Sequence, residues 1–138
     1  MAGTVSGPTT YPEVVEGIRA AIAAYTQALD DGRTDDIVAT FCPDGGCTMP
    51  GLGSPRGHGA LREAYERWKP TQPQRHLVVN TLVTEWDDHE ARATSDVILV
   101  VKDQPNWSIQ AVGRYNDVLH RSDDATWRFH SRTATFVR

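Results

Sequence analysis

Three side chains in this sequence are of the kinds that move protons without a metal or a nucleotide: the phenol of Tyr25, the carboxylate of Asp30 and the imidazole of His76. Tyr25 and Asp30 lie five residues apart on one predicted helix. At roughly 100° per residue that puts them about 140° apart around the axis, too far to stack like an i,i+4 pair. They flank a common cavity if Asp30 falls in the last turn, just before Gly32. A carboxylate there faces the negative end of the helix dipole and calls for a compensating partner. Asp31 competes for that place. His76 opens the first of a series of long strands.

The helix that carries the first two residues runs from Tyr11 to Gly32, with Val14, Val15, Ile18, Ala21, Ile22, Tyr25 and Leu29 in one apolar stripe. Such a stripe needs a flat partner, and a sheet supplies one. Thr34 reads as the cap of a short second helix reaching about Phe41, followed by a Pro43 to Gly46 turn and a short strand from Gly46 to Pro50. Ala60, Leu61, Ala64, Tyr65 and Trp68 mark a third helix, stopped by Lys69-Pro70. From His76 onward the period changes. Runs from His76 to Val83, Ala91 to Val101, Trp107 to His120 and Thr126 to Val137 are β-branched and aromatic and are joined by short polar turns, the pattern of an antiparallel meander. Helices first and strands afterwards predict an α+β fold, a curved and mainly antiparallel sheet closing over the first helix to leave a cone. Residues 1–9 are small and polar and read as a loose tail, leaving a single domain over 10–138.

Composition narrows the function. The 138 residues carry a formal charge of −4, and the basic residues are scattered, so neither nucleic acid nor an anionic membrane is the expected partner. There is no apolar run long enough to span a bilayer and no export leader, so the expected location is cytoplasmic. Cys42 and Cys47 are the only cysteines and read as reduced thiols rather than metal ligands. No glycine-rich phosphate loop or short-spaced ligand cluster is present.

Side-chain alternation places His76, Val78 and Asn80 on one face of their strand, and Val112, Arg114, Asn116 and Val118 on one face of another. With His76 turned toward the helix, Asn80 is expected to line the same cavity. Polar Arg114 and Asn116 between valines read as pocket residues too, and a buried Arg114 would need an anion, either Asp30 or a ligand. His130 is left open between the cone and the far side. The outer sheet face needs cover, and Tyr115 with Phe129 or Trp127 suggests a homodimer formed through it.

The segments IRAAIAAYTQALDDGRTDDIVATFCPDG, PRGHGALREAY, RHLVVN and GRYNDVLHRSDDATWRF together resemble the SnoaL-like branch of the nuclear transport factor two superfamily, over about Val15 to Val137. The superfamily includes scytalone dehydratase, bile acid dehydratase, ketosteroid isomerase and polyketide cyclases. The resemblance implies a cone-shaped α+β fold and cofactor-free acid–base chemistry. It matches Tyr25, Asp30 and His76 to the dehydratases' tyrosine, aspartate and histidine. His76 would then remove a proton beside a carbonyl, Asp30 would hold the imidazole, and Tyr25 would hydrogen-bond the developing enolate oxygen. Where scytalone dehydratase is similar but has a second histidine, this chain has Val101, and the only carboxylate resembling an isomerase base is Asp96. The implied substrate is a cyclic, hydrophobic, carbonyl-bearing compound of steroid or polyketide type, which would be dehydrated, isomerised or cyclised, or simply bound.

Overall fold

The computed structural model of the chain describes residues 9–137; the expected tail lies almost wholly outside them. Helix α1, Tyr11–Asp30, starts where Thr10 accepts the Glu13 amide and Pro12 occupies the first turn, where a missing N–H costs nothing. It stops at Gly32, whose φ of 68° suits a residue without Cβ. Helix α2 follows as Thr34–Ala39 and α3 as His58–Arg67. The strands are β1 Phe41–Thr48, β2 Gln74–Trp86, β3 Glu90–Asp103, β4 Asn106–Arg121 and β5 Trp127–Phe136.

The sheet order is β1-β5-β4-β3-β2. The last four strands form the expected antiparallel meander, and β1 joins its edge parallel to β5. This corrects the expectation for residues 41–46, which read as a helix end and a turn. Phe41 to Gly45 are extended strand instead, with an irregularity before Gly46. The glycines there allow close approach: a Cβ on Gly45 would run into the Phe129 carbonyl oxygen, and one on Gly46 into that of Pro55.

The stripe of α1 is buried against the inner face of the sheet, with Val14, Ile18, Tyr25 and Ala28 fully enclosed. Facing them are Ala91, Ala93 and Val97 of β3, Tyr115 and Leu119 of β4, and Trp127, Phe129 and Ala134 of β5. Each large apolar side chain enclosed in this way contributes about 1.5–3 kcal/mol, so the helix is held chiefly by its stripe. Tyr115, Phe129 and Trp127 therefore belong to the core. The outer face carries other apolar residues, among them Leu77, Val79, Leu82, Ile109 and Val112.

Candidate active site

Asp30 is the last residue of α1, and His76 is the third residue of β2. Because the helix ends against the start of that strand, the two side chains meet. The Asp30 carboxylate accepts the His76 ring Nδ1–H on Oδ1 at 2.7 Å and the His76 backbone N–H on Oδ2 at 2.8 Å. Gln74 donates from Nε2 to the same Oδ1 at 3.2 Å. These donors are the partners that a carboxylate at a helix C-terminus requires. The side chains of His76 and Asp30 are only 10% and 5% exposed. An ionised carboxylate can only accept, so the hydrogen of the neutral ring is assigned to Nδ1, and Nε2 keeps its lone pair.

His76 opens onto a cavity of about 300 Å3. Its apolar lining is Leu29, Trp68, Pro70, Leu99 and Val101; its polar lining includes Gln72, Gln74, Gln110 and the cations Arg67 and Lys69. This is a smaller and more polar hollow than the greasy cone expected from the sequence. A larger groove of about 720 Å3 runs between α1, α2 and the turn before β5, but none of its lining residues belongs to the His76 cavity. Titratable groups converge at the smaller site, which makes it the candidate.

Tyr25 is not among the residues lining this cavity. It is fully buried in the cone, its hydroxyl 2.6 Å from that of Tyr65 and 3.6 Å from Met49 Sδ. Burial raises both phenols well above the usual range, so they stay protonated at any ordinary pH.

Three other expected lining residues stand elsewhere. Asn80, Arg114 and Asn116 are exposed on the outer face, where Asn80 donates to Asp96 Oδ2 at 2.8 Å and Arg114 to Asp96 Oδ1 at 3.0 Å. These two bonds, Asn80's the larger effect, hold the Asp96 carboxyl below its ordinary value. The physical reason for Asn80 is a bulge: its φ is 56°, the β2–β3 register shifts between Val79 and Leu82, and the inward positions pass from His76 and Val78 to Thr81 and Val83. In β4 the inward set is Tyr115, Asp117 and Leu119. Val78 does face inward, but it lines a separate groove against α1 with Arg19 and Ile22; Val101 lines the His76 cavity as expected. His130 lies at a second bulge and stacks on the outward His120 at 4.3 Å, which settles it on the far side.

Sequence reasoning passed over one buried group. Arg132 on β5 and Asp117 on β4 are wholly enclosed, with Nε 3.0 Å from Oδ1 but without hydrogen-bond alignment. The guanidinium lies over the Tyr115 ring at 3.6 Å and over Tyr25 and Phe129 at 4.5 Å each, a cation set among aromatic faces. The signal was one register step away. Asp117 alternates with Tyr115 and Leu119, and Asp117 pairs with Arg132 across the ladder.

Comparison with known proteins agrees with this architecture. The SnoaL-like domain model matches residues 12–133, so the chain belongs to the SnoaL-like family. A Mycobacterium tuberculosis protein of unknown function is similar over 91% of this chain and 72% of its own, at 26% identity and a TM-score of 0.83. A candidate scytalone dehydratase from Novosphingobium aromaticivorans shares the fold at 19% identity and TM-score 0.77, covering 91% of this chain and 85% of its own. ActVI-ORFA from Streptomyces coelicolor does so at 22% and 0.76, covering 89% and 96%. No curated protein matches. Among the described residues no helix is long and apolar enough to cross a membrane, and no cluster of side chains has the geometry to hold a metal ion.

Proposed function

We propose that the chain is a lyase acting on a compact cyclic β-hydroxy ketone, with His76 as the base. The observation that carries this reading is the 2.7 Å contact between His76 Nδ1 and Asp30 Oδ1 at the wall of a cavity that admits a small ring compound. Nε2 takes the proton from the carbon beside the carbonyl, the C–H electron pair moves into the enolate, and Asp30 stabilises the imidazolium through Nδ1–H. Collapse of the enolate expels the β-hydroxyl, which leaves as water with a proton returned by the imidazolium. Charge that develops on the carbonyl oxygen needs a donor within the cavity, and Gln72, Gln110 and Lys69 supply N–H groups there. Tyr25 contributes by fixing the end of α1 from inside the core.

The candidate dehydratase among the structural neighbours supports water loss; ring closure by the same pair is the second reading. Incubation with a β-hydroxytetralone separates the two. Dehydration yields a naphthol lighter by one water, whereas isomerisation or cyclisation leaves the mass unchanged. His76→Ala and Asp30→Asn are each expected to cut turnover by ~10²-fold or more with the fold intact. Unchanged turnover in either well-folded variant would refute the proposal.

A further inference from the structure

Gln74 stands two residues before His76 on the same inward face of β2, and both side chains reach Asp30. The remaining contacts of that carboxylate come from residue 76 itself, one from the ring and one from the backbone. A carboxylate held only by the residue it must orient can turn with that residue. The backbone bond at Oδ2 is a pivot, and the ring bond at Oδ1 follows wherever the ring goes. The Gln74 carboxamide is the brace from outside this pair, and it meets Oδ1, the oxygen that receives the imidazole. The amide nitrogen can only donate, so its bond holds Oδ1 in place as the acceptor of the ring Nδ1–H.

We infer that Gln74 is a positioning residue, whose N–H clamps the Asp30 carboxylate plane and keeps Oδ1 aligned with the ring, so that the His76 tautomer with Nε2 free to take a proton persists. The inference rests on the acid–base reading above, but the tautomer is measurable without any substrate. Gln74 also lines the cavity, so an effect on binding must be separated from an effect on the dyad.

Gln74→Met keeps the chain length and apolar stem and removes the donor; Gln74→Leu is the second variant should the first fold poorly. Nitrogen-15 spectra of the His76 ring, assigned by their loss in His76→Ala, are expected to show the Nδ1–H tautomer in the native protein and a mixture in the variants. With the β-hydroxytetralone, kcat is expected to fall ~10-fold at nearly constant KM, the size of effect that loss of a supporting contact has on a preorganised site. A variant ring that keeps the native tautomer, or a loss confined to KM, overturns the inference. If the native protein turns over no tetralone, the acid–base reading fails, and the ring spectra still decide the role of Gln74.

Discussion

The Asp117 carboxylate illustrates how far an environment can move a side chain from its aqueous behaviour. It is fully enclosed, and burial pushes its pKa up to about 6 even though Arg132 pulls the other way. A folded value above the unfolded one means that the stability this group contributes is complete below the unfolded pKa and is lost as pH rises through about 6. The stability of the native protein relative to Asp117→Asn, which has no carboxyl to titrate, is therefore expected to be greater at pH 5 than at pH 7.5, as read by thermal midpoints; a relative stability that rises toward alkaline pH would show that Arg132 dominates instead. Arg132→Met strands the Asp117 carboxylate above about pH 6 and is expected to cost about 3–5 kcal/mol there. Replacing both by apolar residues of similar volume is expected to cost less than the Arg132 replacement alone, as read by denaturant unfolding. The sequence revealed the Asp30 carboxylate more readily than this one. Asp30 stands just ahead of a glycine stop, a local signal, whereas Arg132 is recognisable only once β4 and β5 are paired across a bulge between Val118 and Leu119.

Bulges also explain most of what went unread among the elements. Strict alternation carries His76, Val78 and Asn80 on one face, and it holds until the chain enters a left-handed conformation at Asn80. Asparagine tolerates that conformation, and nothing local distinguishes such an Asn from one in a regular strand. Asn80→Gly is expected to be near neutral in denaturant unfolding, and Asn80→Val to destabilise by about 1–3 kcal/mol, since a β-branched residue resists positive φ. Equal stability of the two would mean that the bulge relaxes. In β4 the valines at 112 and 118 imitate a core face, so Arg114 and Asn116 read as inward, while Tyr115 and Leu119 take the interior. Helices were easier to read. The α1 stripe runs without interruption for about four turns, and the predicted limits of the helix match the observed ones to within two residues.

For the whole molecule, the outer face of the sheet is the unsatisfied surface. Leu77, Val79, Leu82, Ile109 and Val112 are each more than two-fifths exposed, and Asp96 and Arg114 add both signs of charge among them. An exposed apolar patch of this extent can meet its own copy across a two-fold axis, so we propose a homodimer formed through this face. Light scattering is expected to give twice the chain mass, and Leu82→Asp with Ile109→Asp to give the monomer while leaving the native core signal unchanged. A native protein that runs as a monomer at micromolar concentration would rule the dimer out.

The segment that follows α3 adds one more consequence. Trp68, Lys69, Pro70, Thr71 and Gln72 line the His76 cavity, yet residues 69–73 lie in neither helix nor strand, while Asp30 and His76 are rooted in α1 and β2. The part that would choose the guest is thus built separately from the part that would transform it. Rewriting those few loop positions would redirect the protein toward new molecules while its reactive machinery stayed as it was, which gives a lineage a short route from one chemistry on one compound to the same chemistry on many.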